Sequence, residues 1–214
     1  QDTGMIIAFV EAGKNILIDD NIRDTIDRAV KDAYLDGFFR KSVVTEPFFH
    51  RENSKTNLPM IIYYDFVEGD SLEIKLLAKG FGSENCSRIF MMKPTATKDE
   101  LVENIVSVVR NAGGAPCPPV IVGVGIGGTM DYAAVLSKKA FFRDLQSKNP
   151  DTEYAELEKE IYTKINKLDI GAGGIGGDFT TLGVKIESYA THIAGMPVAV
   201  SINCWADRKI TVKM

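Results

Sequence analysis

The residues best suited to chemistry surround a short apolar run near the middle of the chain. Val120–Val124 is apolar and β-branched, which predicts a buried strand. Cys117 precedes this run between two prolines, which restrict the backbone and place the thiol on a stiff loop. Four glycines open a predicted turn into a helix from about Met130 to Gln146: Gly123, Gly125, Gly127 and Gly128. The N–H groups and helix dipole at such a turn suit an anion, although the motif alone favours a buried cysteine beside an ordinary turn.

Two more candidates flank a second predicted strand, Val198–Ile202. His192 precedes this strand and Cys204 follows it. Histidine titrates near neutral pH, so His192 is a candidate general acid or base, although a lone histidine before a strand is more often structural. A cysteine protease needs a base that activates its thiol, and nothing local does this for Cys204. The cysteines and histidines have neither zinc-ligand nor ferredoxin spacing, so spacing alone predicts no metal centre.

Two further segments carry glycines and polar groups. Lys79–Arg88 could contact an anion, but a surface loop is the simpler interpretation. Gly171–Asp178 is rich in glycine, yet it follows a predicted helix and therefore does not fit the dinucleotide fingerprint, which requires a preceding strand. A non-enzymatic anion- or nucleotide-binding module built on the glycine loops stays open as an alternative to an enzyme.

The elements that must position these groups alternate between strand and helix patterns. Hydrophobic periodicity predicts helices over residues 99–111 and 151–168. A third predicted helix begins after Asp19 or Asp20, either of which can cap it, and ends near Gly37. Leu58–Val67 and Ser71–Ala78 are predicted as a hairpin, and the polar segment His50–Asn57 as exposed. Further strands are predicted over residues 5–10 and 15–18. This mixture predicts an α+β fold, with mixed or antiparallel sheets flanked by helices, in a single compact domain over residues 1–214.

Composition limits the class of protein. A net charge of −4 argues against a nucleic-acid partner, and no apolar run approaches the roughly 18 residues of a membrane span. Three cysteines suit a reducing compartment and no signal peptide is recognisable, so we expect a cytoplasmic protein. The chain begins with Gln1 rather than methionine, and we expect an N-terminal helical part to precede it.

Four segments, in this order and at these separations, resemble one family across nearly the whole chain. The family is that of the iron–sulfur-dependent hydro-lyases, which comprises the class I fumarases and the α subunits of L(+)-tartrate dehydratase. The segments are Gln1–Gly4, Lys79–Arg88, Cys117–Tyr132 and His192–Arg208. One departure is Phe81, which stands where the family usually has a glycine.

The resemblance implies a [4Fe–4S] cluster held by three cysteines, with one iron open to substrate. Cys117 and Cys204 match two of the ligand positions. The family's third ligand directly precedes the segment that matches Gln1–Gly4, so this ligand is expected upstream of Gln1. Cys86 lies where the family does not usually place a ligand, and we do not assign it to the cluster.

The resemblance also implies roles for five other residues. Gln1, Arg40 and Gly82 match positions that bind the substrate carboxylates, Gly82 through its backbone. Asp2 and His192 match the acid/base and orienting groups near the reacting carbons. The other substrate-binding residues of the family lie in a C-terminal domain or a separate β subunit.

The implied function is the reversible dehydration of a small 2-hydroxy dicarboxylate by the α subunit or catalytic domain of a hydro-lyase. Fumarate hydratase, which converts malate to fumarate and water, is the first expectation. L(+)-tartrate dehydratase, which converts tartrate to oxaloacetate and water, is the alternative. A shared active site implies a β subunit or C-terminal domain as partner, and an oligomer.

Overall fold

The computed structural model describes residues 2–18 and 21–214, in which eight strands and five α-helices form two mixed sheets with their flanking helices. The strands are β1 (Met5–Gly13), β2 (Ile61–Val67), β3 (Leu72–Lys79), β4 (Arg88–Met92), β5 (Val120–Gly128), β6 (Thr181–Thr191), β7 (Met196–Asn203) and β8 (Lys209–Lys213). The helices are α1 (Ile22–Asp36), α2 (Phe81–Glu84), α3 (Lys98–Ala112), α4 (Met130–Lys139) and α5 (Thr152–Asn166). The predicted α+β class is therefore confirmed. Contacts divide the chain into two units. The first unit comprises the residues up to Phe81 together with Arg208–Met214, and the second comprises Gly82–Asp207.

The first unit is a four-stranded sheet in the order β2-β1-β3-β8. β1 is parallel to β2 and antiparallel to β3, and β3 is antiparallel to β8. Helix α1 buries Ile26, Val30 and Tyr34 in the same apolar cluster as alternate residues of β1. Asn21 caps this helix, since its side chain accepts the N–H groups of residues 23 and 24. The predicted caps, Asp19 and Asp20, lie outside the described residues.

The predicted hairpin between β2 and β3 is wrong because β1 lies between these two strands. The Gly69 turn bonds to the end of β1 instead: the N–H of Asn15 donates to the Gly69 carbonyl at 2.9 Å. A β-carbon on Gly13 would lie 2.6 Å from the Gly69 oxygen, so the close approach requires glycine at position 13. Residues 15–18, predicted as a strand, form no strand.

The second unit is a four-stranded sheet in the order β4-β7-β5-β6, with β5 parallel to β6 and antiparallel to β7. Side chains from α3 and α5 form one apolar core with alternate residues of β5, β6 and β7. Helix α4 packs on β5 and β7. Predicted α4 is too long, because a short 3-10 turn, Ala140–Phe142, follows Lys139. β4, β6 and β8 were not predicted.

Two of the four central glycines serve helix packing rather than the turn. A β-carbon on Gly123 would lie 2.1 Å from the Ser137 carbonyl oxygen, and one on Gly125 would lie 2.0 Å from that of Ala133. Both glycines therefore let α4 approach β5 closely. Gly127 and Gly128, with φ of +93° and +66°, are the last two residues of β5, so the strand continues through all four glycines, beyond its predicted end at Val124. Within the described part of the chain, no helix is long and apolar enough to cross a membrane.

Candidate active site

Asp2 lies in a turn of the first unit that fixes both of its carboxylate oxygens. Oδ1 accepts the N–H of Gly4 at 2.9 Å, and Oδ2 accepts that of Phe81 at 2.7 Å. The Arg208 guanidinium donates to the Asp2 carbonyl. Gly4 has a φ of +79°, and a β-carbon there would lie 2.4 Å from the Lys79 carbonyl, so this turn requires glycine. The carboxylate is half-buried, and each oxygen keeps a lone pair for a ligand.

Two side chains connect the Asp2 turn with the segment that carries Arg40. The Thr3 hydroxyl donates to the Arg40 carbonyl at 2.9 Å. Asn57 is fully buried, its amide donates to the Gly4 carbonyl at 3.0 Å, and its Oδ1 accepts the N–H of Ser42 at 2.8 Å. The Arg40 side chain is exposed. The backbone that carries the arginine is thus fixed relative to Asp2, while the guanidinium stays accessible.

Tyr34 supports the same turn from α1. Its hydroxyl lies 3.0 Å from the Thr3 carbonyl and 3.1 Å from the Gly4 carbonyl. Burial raises the pKa of the Tyr34 phenol above its ordinary value of 10.0, so the phenol stays protonated and can donate near neutral pH.

Sequence reasoning missed the supporting residues Thr3, Tyr34 and Asn57. Asn57 was predicted to be exposed, which is wrong, because its amide pairs with backbone groups of two distant segments. The bond to Gly4 spans 53 positions, and no periodic pattern marks such a contact. Its one local signal is the residue type: Asn57 has a φ of +61°, a conformation that asparagine adopts more readily than most residues.

Cys117 is exposed on a left-handed backbone in the second unit. Its φ is +57°, uncommon for a residue other than glycine, and its N–H donates to the Gly114 carbonyl at 3.1 Å. The neighbouring Pro116 and Pro118 are buried, which anchors the loop on both sides of the thiol. The predicted stiff loop is therefore present.

The second glycine-rich segment lies directly against the Cys117 loop. The N–H of Gly173 donates to the Pro118 carbonyl at 2.8 Å. A β-carbon on Gly174 would lie 2.6 Å from the Gly114 Cα, so the backbones of the two loops are in direct contact at these glycines. The Thr180 hydroxyl accepts the N–H of Gly171 at 3.2 Å and so anchors the start of this segment. The segment buttresses the loop that carries the thiol.

Cys204 begins the turn that follows β7, and Asn203 and Asp207 close this turn. The Asn203 amide donates to the Asp207 carboxylate at 2.9 Å, and the N–H of Asp207 donates to the Cys204 carbonyl at 3.2 Å. Asn203 is buried and Cys204 is half-buried. The turn therefore holds the thiol at the end of a strand in the core of the sheet.

The sheet register brings the segments of both cysteines to one end of the second unit. Ile121, near the start of β5, pairs with Asn203, the last residue of the antiparallel β7. Cys117 precedes β5 and Cys204 follows β7. Because these strands are antiparallel, both cysteines lie beyond the same end of the pair. Gly82 is also close, because a β-carbon there would lie 3.6 Å from the carbonyl oxygen of Ala115. Cys86 donates to the Gly82 carbonyl at 3.3 Å and packs against the apolar core.

His192 lies at the opposite end of this sheet. It follows β6, whose last residue, Thr191, pairs with Gly128 at the far end of β5. The imidazole is exposed, and its Nδ1 accepts the N–H of Ala194 at 3.2 Å. Nδ1 is thus an acceptor, which leaves Nε2 as the ring nitrogen that can donate. Gln1, the remaining predicted site residue, lies outside the described residues.

Comparison with protein families accounts for almost the whole chain. The model of the family described as fumarate hydratase (Fumerase) matches residues 1–213. The chain belongs to the fumarate hydratase family. It is therefore a hydro-lyase enzyme, and the family resemblance stated from the sequence is confirmed.

Relatives of this fumarate hydratase family member carry the name of one particular subunit. L(+)-tartrate dehydratase subunit alpha of Escherichia coli strain K12 is 34% identical over 218 residues, which cover 99% of this chain and 71% of the relative. The same subunit of Shigella sonnei gives the same values. A Methanocaldococcus jannaschii protein provisionally named as this subunit is 44% identical over 216 residues, covering 98% of this chain and 75% of the relative.

The fumarate hydratase family is in general iron–sulfur dependent. Thiolates are the usual ligands of iron–sulfur clusters, and Cys117 and Cys204 are both free and not fully buried. Over residues 2–18 and 21–214, no three or more His, Cys, Asp or Glu side chains are grouped to hold a metal ion. The thiols of Cys117 and Cys204 have the donor chemistry of cluster ligands, and their assignment to a cluster stays a prediction.

Proposed function

We propose that this chain is the α subunit of an L(+)-tartrate dehydratase. The relatives described above are 34–44% identical over nearly its full length and carry that name. The observation that carries the proposal is the register of β5 and β7, which places the segments of Cys117 and Cys204 beyond the same end of these two strands. Fumarate hydratase, the first expectation from the sequence, stays a second candidate because the matching family bears that name.

Cys117 and Cys204 are the proposed protein ligands of a [4Fe–4S] cluster. When bound, such a cluster supplies a Lewis acid that polarises the substrate hydroxyl. Gln1, Arg40 and the backbone of Gly82 are the proposed contacts of the substrate carboxylates. Arg40 suits this role because its guanidinium is exposed and can pair with a carboxylate through two hydrogen bonds.

Dehydration removes a hydroxide from one carbon and a proton from its neighbour, which leaves a carbon–carbon double bond and water. Tartrate gives the enol of oxaloacetate, whereas malate gives fumarate. Asp2 and His192 are the proposed acid/base and orienting groups. Asp2 suits a positioned role because both carboxylate oxygens accept backbone N–H groups, which prevents the side chain from rotating.

The relatives' name, subunit alpha, supports a β-type partner that completes the site. The test is turnover by the chain co-purified with such a partner and reconstituted anaerobically with iron and sulfide. We expect L-tartrate to give oxaloacetate, with kcat/KM at least about tenfold above that for malate, because a site that bonds the extra hydroxyl rejects the analogue lacking it.

Preference for malate would instead assign the chain as a fumarate hydratase. Absence of turnover with both substrates would contradict a hydro-lyase. Calorimetry with nucleotides tests the remaining alternative, a nucleotide-binding module, and we expect no heat of binding.

A further inference from the structure

Lys79 is a lysine that the first unit buries almost completely. Its side chain, at the end of β3, is 1% exposed and is one of the largest fully buried side chains of the described residues. Burying an amino group is costly unless hydrogen bonds replace those that it made with water. The Lys79 Nζ donates to the carbonyl of Gly80 at 3.1 Å. An apolar side chain of similar length would fill the same space without this cost, so packing alone does not account for lysine at this position.

The Gly80 carbonyl that Lys79 contacts belongs to the same peptide group as the N–H of Phe81. That N–H donates to Oδ2 of Asp2 at 2.7 Å. The peptide is trans, so its carbonyl and its N–H point in opposite directions, and the whole group is planar and rigid. Lys79 and Asp2 therefore hold one rigid peptide from its two opposite edges, and a rotation of the peptide plane would break both hydrogen bonds.

The turn that carries Asp2 packs closely against this peptide. A β-carbon on Gly80 would lie 3.4 Å from Oδ2 of Asp2. A β-carbon on Gly4 would lie 2.4 Å from the Lys79 carbonyl and 2.7 Å from the Gly80 nitrogen. All of these residues belong to the first unit. The position of the carboxylate relative to the peptide is thus set within one unit, and a shift of the peptide would move the oxygen that is bonded to it.

We infer that Lys79 positions the Asp2 carboxylate through the peptide that joins Gly80 to Phe81. The inference rests on the proposed function, in which Asp2 is one of the acid/base and orienting groups. Lys79 does not need to touch the substrate, because it fixes the peptide and the peptide N–H fixes Oδ2 of Asp2. Precise placement of such a group matters, since a displacement of about 1 Å can lower the rate about 100-fold.

Lys79→Met tests this role, because methionine has a similar length and no N–H donor. Replacing a buried charge by an apolar side chain of similar volume is often neutral for stability, so we expect the variant to fold. In the enzyme reconstituted with its β-type partner, kcat for the dicarboxylate, expressed per cluster, should fall about tenfold. KM should change less than about twofold, because Thr3 and Asn57 hold the Arg40 segment separately.

Phe81→Pro removes the same connection on the side of Asp2. Proline lacks the N–H and is tolerated at the first position of a helix, which Phe81 occupies in α2. The reference variant is Phe81→Ala, which also loses the ring but keeps the N–H. The kcat of the proline variant should lie about tenfold below that of the alanine variant. Lys79→Met combined with Phe81→Pro should lose about tenfold in total, rather than the roughly 100-fold expected of independent groups.

Lys75→Met is the matched control on the same strand. Lys75 lies four residues before Lys79 in β3 and therefore on the same face of the sheet. Its Nζ pairs with carboxylates of Glu11 at 3.3 Å and of Glu73 at 2.7 Å. Removal of this amino group breaks ion pairs but leaves the peptide beside Asp2 in place, so we expect the wild-type kcat.

Several results would overturn the inference while the proposed function stands, provided that the wild-type enzyme turns over tartrate or malate. They are the wild-type kcat in Lys79→Met, a loss that appears in KM alone, an equal loss in Lys75→Met, and multiplied losses in the double variant. Failure of Lys79→Met to fold, measured by circular dichroism, would also overturn it, because the lysine would then serve stability rather than placement. An inactive wild-type enzyme would overturn the proposed function and this inference with it.

Discussion

Thr3 and Asn57 determine how the proposed acid/base group is placed relative to the proposed substrate arginine. Thr3 donates to the carbonyl of Arg40 itself, whereas Asn57 joins Gly4 to Ser42, which follow Asp2 and Arg40 respectively by two positions. Neither side chain needs to touch the substrate. Both act through the backbone, so their removal should alter binding and orientation rather than the identity of the reaction.

Thr3→Val removes the hydroxyl with little change in the size or shape of the side chain. We expect this variant to raise KM for the dicarboxylate about fivefold. The reason is the loss of one hydrogen bond, worth about 1 kcal/mol net, which leaves the Arg40 segment less constrained. Steady-state kinetics of the complete enzyme give the value. Thr3→Ser keeps the hydroxyl and should restore KM, so equal values for the two variants would show that this hydrogen bond does not position the arginine.

The local environment of a residue was easier to predict where it depends on neighbours in sequence than where it depends on contacts with distant segments. Cys117 was predicted on a stiff loop because the prolines beside it restrict the backbone locally, and the structure has this loop. Asn57 was predicted to be exposed because its neighbours in sequence are polar. Its burial depends on Gly4 and Ser42, which tertiary structure brings to it. The roles of Asp2, Arg40, Gly82 and the two cysteines stay predictions.

At the scale of elements, two glycine-rich segments have different physical tasks. In β5, Gly123 and Gly125 allow α4 to approach the sheet closely, and Gly127 and Gly128 end the strand with positive φ. In the segment after α5, Gly174 admits the Cys117 loop. Backbone packing therefore accounts for Gly123, Gly125 and Gly174.

Gly174→Ala should destabilise the protein more than Gly173→Ala. Both glycines have positive φ, +78° and +66°, so both variants carry a similar backbone cost of about 1–2 kcal/mol. Only the first substitution also places a β-carbon against Gly114, whereas the second meets no atom within 4 Å. We expect an extra loss of about 1–3 kcal/mol in the free energy of unfolding, measured with urea, and weaker cluster absorbance. Equal losses would mean that the contact with Gly114 does not support the Cys117 loop.

Helices and the most apolar strands were predictable because their signals are local. The predicted segments over residues 99–111 and 151–168 correspond closely to α3 and α5, whose apolar residues recur at helical spacing. β4 and β8 were missed, and both are largely exposed strands at sheet edges. β6 was missed although its first half is buried.

At the scale of the whole molecule, strand order carries the functional consequence. Adjacent segments of sequence suggested that β2 pairs with β3, but β1 pairs with both. In the second unit, the antiparallel pairing of β5 with β7 places the segments of residues 117 and 204 at one end of the sheet, whereas residues 192 and 204, which are much closer in sequence, lie at opposite ends of β7. Sequence proximity therefore does not indicate which of these residues lie at the same end of the sheet.

Visible absorbance and iron content of the anaerobically reconstituted α chain with its β-type partner test the central claim most directly. Serine in place of Cys117 or Cys204 removes a thiolate ligand and should abolish the broad absorbance of the cluster. Cys86→Ser is the matched control, because this thiol donates to the Gly82 carbonyl and packs against the core, and its loss should leave the spectrum unchanged. Wild-type absorbance in both the Cys117→Ser and Cys204→Ser proteins would contradict the account.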